Sequence, residues 1–99
     1  MQWRARLNLA YLDELEGKYA EGAKAFADFA KSVRTPGSAA YAAEAYVAAG
    51  RVYLLAGKAA DAKSVLDAGR RFIQSAPADE RGDLMNYTSM INGMLAQVK

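Results

Sequence analysis

The chain has 99 residues, 53% of them hydrophobic and 24% charged, the make-up of one small globular domain with a single modest core. Thirteen basic residues against eleven acidic ones leave a net charge of +2, too little for a surface dedicated to nucleic acid or acidic lipid. With neither cysteine nor histidine, the chain has no disulfide framework and no thiolate metal site, and it lacks the commonest metal ligand and general base.

The opening stretch, "MQWRARLNLAYLDELEGK", has a short apolar run that acidic residues soon interrupt, unlike a signal peptide. No apolar run approaches the roughly 20 residues that span a bilayer. A first helix is predicted over 2–16, ended by Gly17 in "LEGKYAE", and a second over 19–34. Pro36 in "RTPGS" marks the next boundary, since proline fits the first turn of a helix but not its interior. The third helix, 39–56, carries Ala42, Ala45, Tyr46, Ala49, Val52, Tyr53 and Ala56 at three- and four-residue steps, one helical face. Gly57 in "LAGKAAD" ends it. The fourth, 59–75, repeats the pattern with Ala59, Ala62, Val65, Leu66, Gly69, Phe72 and Ile73. After Pro77 in "SAPADE", a closing helix over 79–97 carries Leu84, Tyr87, Ile91 and Met94, with Val98 just beyond. Period-two alternation is absent and β-branched residues are few, so no strand is expected.

The two glycine turns share Gly-Lys-x-Ala-acid and lie forty positions apart. Ala5 and Ala45, Ala10 and Gly50, and Ala20 and Ala60 pair at the same step, while Pro36 and Pro77 are forty-one apart. A helix–turn–helix unit is therefore used twice and followed by one helix, the mark of a solenoid. The small residues of "YVAAGRVYLLAGKAADAKSVLDAG" fit that plan, because interaxial distance follows the side chains at a helix contact. Ala49 and Gly50 should admit the facing helix through Ala62, with Tyr53, Leu66 and Phe72 filling the gaps.

Chemistry-bearing clusters are few. Asp13, Glu14 and Glu16 precede the first turn, and Asp79, Glu80 and Asp83 open the last helix, where acids favour the positive helix end. Serine and threonine are present, but the usual triads cannot form without histidine or cysteine. No loop matches a phosphate-binding glycine pattern. Arg4/Arg6, Lys31/Arg34 and Arg70/Arg71 form basic clusters, the last two near the ends of second helices, where cations are favoured. No catalytic residue, metal site or cofactor is expected.

Tyr46, Ala49-Gly50, Tyr53, Gly57, Ala62 and Leu66, preceded by Leu9-Ala10, Gly17, Tyr19, Gly22 and Phe26 in the first unit, resemble the tetratricopeptide repeat family. The likeness covers roughly three quarters of the chain, and the last helix resembles the family's solvating cap. It implies an all-α fold, an α–α superhelix of two helix–turn–helix units, about 2–36 and 37–77, with a capping helix over 78–98. Arg6 stands where the family has an aromatic and Asp13 where it has tyrosine, which implies a rotated or irregular first helix. The step of forty exceeds the family's thirty-four. The rival architecture is a plain five-helix bundle.

The resemblance also implies a non-catalytic scaffold whose first helices line a groove for a peptide or partner protein. The groove positions would be Arg4, Leu7, Asn8 and Tyr11 in unit one and Glu44, Val47, Ala48 and Arg51 in unit two. Of these, Arg4, Asn8, Tyr11, Glu44 and Arg51 would make the contacts, tyrosine and arginine being enriched at binding hot spots. Leu7 and Tyr11 stand where one subgroup places the Lys and Asn that grip a peptide's carboxylate, so that clamp is not expected. "LLAGKAADAKSVLDAGRRF" and the closing helix look like repeat ends of bacterial periplasmic proteins, a lean toward the cell envelope. Two units make a short array. Either it belongs to a longer one, or Trp3, Leu7 and Tyr11 form an exposed edge for homodimerisation. The remaining alternative is nucleic-acid binding through the basic helix ends.

Overall fold

A computed structural model describes the backbone of residues 3–32, 39–76 and 78–98, and within these all side chains except those of Trp3, Arg4, Ala78, Asp79 and Asp83. The expected boundaries at Pro36 and Pro77, and the basic residue Arg34, lie outside the described residues. Every element among the described residues is helical: α1 (Trp3–Leu15), α2 (Tyr19–Ser32), α3 (Ala39–Leu55), α4 (Ala59–Gln74), α5 (Ala78–Arg81) and α6 (Met85–Gln97). The expected single closing helix is instead broken by one turn of 3-10 helix, Gly82–Leu84, between α5 and α6. Gly82 is a poor helix former, and the Met85 N–H donates to the Gly82 carbonyl, tightening the turn. Leu84 is then buried in the core.

The two glycine turns are the same turn. The Gly17 and Gly57 N–H groups donate to the carbonyls of Glu14 and Leu54 at 3.0 and 3.1 Å. Those of Lys18 and Lys58 reach back to Asp13 and Tyr53, both at 2.9 Å. This is the Schellman pattern, which satisfies the last carbonyls of α1 and α3. It needs a left-handed residue, and both glycines have positive φ, 81° and 75°. The carbonyls of Lys18 and Lys58 then accept from Gly22 and Ala62, starting α2 and α4 at once.

These tight turns make consecutive helices antiparallel neighbours. α1 packs on α2 and α3, α3 on α2, α4 and α6, and α4 on α6. The result is two layers, α1-α3-α6 over α2-α4, in a slab of 36 × 36 × 17 Å. The thin dimension matches two helices at the usual 8–10 Å interaxial distance. α2 turns Ala23, Phe26, Ala27, Phe29 and Ala30 inward and leaves Glu21, Lys24, Asp28 and Lys31 exposed. α3 is central and is buried around most of its girth, at Ala42, Ala43, Ala45, Tyr46, Ala48, Ala49, Gly50 and Val52.

Two glycines set the α3–α4 contact. A Cβ on Gly50 would stand 2.3 Å from Cδ2 and 2.5 Å from Cγ of Leu66. A Cβ on Gly69 would stand 2.7 Å from the Tyr46 Cβ. Each helix thus presses a large side chain into a glycine notch on the other. Ala62, the expected partner of Gly50, is buried, but Leu66, one turn further along α4, fills that notch. The Tyr46 ring in turn meets Phe72, with centroids 5.6 Å apart.

Gly69→Ala is expected to lower stability by about 1–3 kcal/mol, because the Tyr46 Cβ cannot swing away. That is roughly 4–8 °C in melting temperature per kcal/mol for a domain of this size. A Cβ at Gly93 in α6 meets nothing within 4 Å, so Gly93→Ala should stabilise by roughly 0.5–1 kcal/mol. Thermal melts followed by circular dichroism check both signs.

Candidate functional site

The face of the α1-α3-α6 layer that points away from α2 and α4 is built by residues one helical turn apart. α1 contributes Tyr11 and Glu14, α3 contributes Glu44, Val47, Ala48 and Arg51, and α6 contributes Tyr87, Met90, Met94 and Gln97. Three depressions adjoin along it. The central one, about 200 Å³, is lined by Tyr11, Glu44, Val47, Ala48, Arg51, Tyr87 and Met90. Val47, Arg51 and Met90 also border an open cleft of about 400 Å³ between α3 and α6, completed by Ser89, Gly93, Met94 and Gln97. Tyr11 also borders a third, about 410 Å³, with Glu14, Leu15, Tyr19 and Leu55.

Its polar groups bind each other. The Tyr11 hydroxyl donates to the Glu44 carboxylate at 2.7 Å, and the Tyr11 ring stands edge-on to Phe26 at 4.8 Å, which fixes its direction. The Arg51 guanidinium donates through both terminal nitrogens to the Glu14 carboxylate, Nη2 to Oε1 at 3.0 Å. This fork geometry suits arginine and carboxylate. The bond to Glu14 raises the Arg51 pKa above its ordinary value, opposed by partial burial. Beyond the strip, burial raises the Tyr53 phenol, with Asp61 and Asp28 adding to the effect. With Arg51 already paired to Glu14, the strip offers a partner aromatic, thioether and aliphatic surface around an internally neutralised pair.

Of the predicted groove residues, Tyr11, Glu44 and Arg51 come together, with Val47 and Ala48 beside them. Asn8 is exposed and lines none of the three depressions. The side chains of Arg4 and Trp3 lie outside the described residues. Leu7 is corrected on both counts: it is 0% exposed, inside the core, and so neither faces a groove nor forms a free edge. Tyr11, the other expected edge residue, is half-buried and bonded to Glu44. The physical reason is that α1 has to supply the core with a large apolar side chain, and Leu7 is the one on its inward face beside Ala10.

Glu14 and Tyr87, named above for other reasons, and Met90 were not expected on this strip. Glu14 could have been found as the acid one turn beyond Tyr11, on the face opposite Arg51. No repeat signal points to Tyr87 and Met90, since a step of forty-one sets them against Tyr46 and Ala49, which lie off the strip. The basic helix ends are elsewhere. Arg70 pairs with Asp67 at 3.1 Å on α4, and Arg6 lies 5.1 Å over the Phe29 ring. No helix among the described residues is long and apolar enough to cross a membrane. Set against family models, curated proteins and solved structures, the chain matches none.

A double-mutant cycle on Glu14→Ala and Arg51→Ala, read by chemical denaturation, should give a coupling of about 1 kcal/mol at low salt and less at high salt. Tyr11→Phe keeps the ring on Phe26 and loses the bond to Glu44, a cost of about 0.5–1.5 kcal/mol in the same assay.

Proposed function

We propose that this chain is a tetratricopeptide-like helical module that binds a peptide, or a peptide-like segment of a partner protein, along the face of α1, α3 and α6. The single observation that carries the reading is the continuity of that face. The central depression shares Tyr11 with one neighbour and Val47, Arg51 and Met90 with the other. The lining helices are the first helices of the repeat and, as their successor, α6, with Tyr19 at the start of α2 closing one end. The identical glycine turns at a forty-residue step support the repeat, and tight α3–α4 packing at Gly50 and Gly69 supports pairwise stacking.

The role is non-catalytic. Glu14 and Glu44, the carboxylates of the strip, are engaged with Arg51 and Tyr11 and hold structure. Recognition would rest on apolar side chains seated between Val47, Met90 and Met94, with Tyr11 and Tyr87 as rigid contact area. Methionine adapts its shape to varied partners. Nucleic acid fits less well, because the basic ends of α2 and α4 belong to the other layer.

The test is selection from a displayed library of random peptides on the immobilised chain. Enriched peptides should carry aliphatic or aromatic anchors and bind at least tenfold more weakly to Met90→Glu, about 1.4 kcal/mol. Met90 is 52% exposed, so that substitution leaves the fold intact. Binding should change little with salt, whereas a nucleic-acid surface would lose affinity steeply. No enrichment, or peptides indifferent to Met90→Glu, would overturn the reading.

A further inference from the structure

α1 and α3 occupy equivalent places forty positions apart, so their burial can be compared residue by residue. Ala10 and Gly50 are both buried, while Tyr11 and Arg51, Asp13 and Tyr53, and Glu14 and Leu54 are all half-buried. Leu15 and Leu55 are both exposed. Four positions change from exposed on α1 to buried on α3: Ala5 against Ala45, Asn8 against Ala48, Leu9 against Ala49, and Leu12 against Val52. The four form one stripe. On α3, Tyr46 and Gly50 face α4, and the stripe, buried as well, lies roughly 130° away round the helix. On α1 the same stripe faces solvent, with Leu9 62% and Leu12 49% exposed. The outer faces of α2 and α4 are polar by contrast, with Glu21, Lys24, Asp28 and Lys31 on one and Asp61, Lys63, Arg70 and Arg71 on the other. Neighbouring leucines on an outer helical face mark a contact surface.

We propose that this stripe is a self-association surface, on which α1 pairs antiparallel with α1 of a second copy. Ala5, Leu9, Leu12 and Glu16 follow one another at steps of four, three and four, the seam spacing of a two-helix coil. Such a stripe is complementary to itself under a two-fold axis, with Leu9 of one copy meeting Leu12 of the other. Charge fixes the direction. α1 is basic toward its start, at Arg4 and Arg6, and acidic toward its end, at Asp13 and Glu16, Glu14 being turned to Arg51. Antiparallel pairing sets opposite signs together at both ends, and parallel pairing sets like against like. Arg6 and Asp13, seven apart, share one flank of the stripe, so the antiparallel pair places each near its opposite number. Size argues against a second helix of the α2 kind as occupant. On α3 the stripe is three alanines and a valine, small enough for a neighbouring helix to pack closely on it. Asn8, Leu9 and Leu12 would hold such a helix off.

The surface is distinct from the peptide-binding strip, which uses Tyr11 and Glu14 on another side of α1. Light scattering over a concentration series should find a dimer for the native chain. Leu9→Glu and Leu12→Glu should each weaken it at least tenfold. Both residues are exposed, so unchanged circular dichroism would show the variants folded. Leu55→Glu, an exposed leucine off the stripe, and Met90→Glu should leave the dimer intact, which separates this result from the peptide test. A monomer at every concentration would overturn the proposal. So would a dimer indifferent to Leu9→Glu and Leu12→Glu, or an assembly that grows past two copies with concentration, which indicates a head-to-tail contact.

Discussion

The structure depends on how closely four helices can approach α3. A central helix with bulky residues on every side would push its neighbours apart and open voids that a domain of 99 residues cannot afford. α3 avoids this with alanine and glycine at most of its buried positions and Tyr46 and Val52 as its larger knobs. The notches at Gly50 and Gly69 are the extreme case, since each admits a side chain where even one methyl group would collide. Close approach replaces side-chain volume as the source of dispersion contacts. The large fully buried side chains then come from all around: Leu7 from α1, Phe26 from α2, Leu66 from α4, Leu84 from the 3-10 turn and Ile91 from α6. α3 supplies the space and its neighbours supply the bulk.

Much of this was legible in the sequence because it rests on local rules. Gly17 and Gly57 could be recognised as turns since a helix ending on a left-handed residue favours glycine, and both have positive φ. Around the two glycine turns and at the end of α4, the helices begin and end within a residue or two of expectation, as strong three- and four-residue periodicity allows. The break at Gly82–Leu84 was not legible. Gly82 sits among helix-compatible residues, and the turn tightens because Leu84 has a place in the core, a tertiary cause.

The candidate strip shows the same division. Register in α3 was readable, because Glu44, Val47, Ala48 and Arg51 lie at steps of three and one on a strongly periodic helix, and all four line the central depression. Register in α1 was readable only at Tyr11. A step of forty sets Leu7 against Val47, yet Leu7 is buried and Val47 half-buried. α1 is packed by α2 and α3, whereas α3 also meets α4 and α6, so α1 settles with its own apolar side inward. Arg6 places its guanidinium over the Phe29 ring, a cation–π contact that no pattern of apolar spacing could show.

The polar pairs between α1 and α3 solve a problem that small-residue packing creates. Smooth alanine surfaces attract without specifying register, since one helix can slide along another with little change in buried area. Hydrogen bonds are directional, and two of them at different spacings fix a crossing. Tyr11 and Glu14 are separated by about 4.5 Å along α1, while Glu44 and Arg51 are separated by about 10.5 Å along α3. The long arginine side chain spans the difference and reaches back to Glu14 with both terminal nitrogens. The order of the pairs, Tyr11 with Glu44 and Glu14 with Arg51, also holds only when α1 and α3 run in the same direction. α3 and α4 need no such pins because glycine notches already index them. α1 has fewer neighbours, and there directional bonds at a half-exposed surface set what packing leaves loose. The same bonds fix how Tyr11 and the Glu14–Arg51 pair are presented on the strip, so the site's geometry and the register of the terminal helix have one cause.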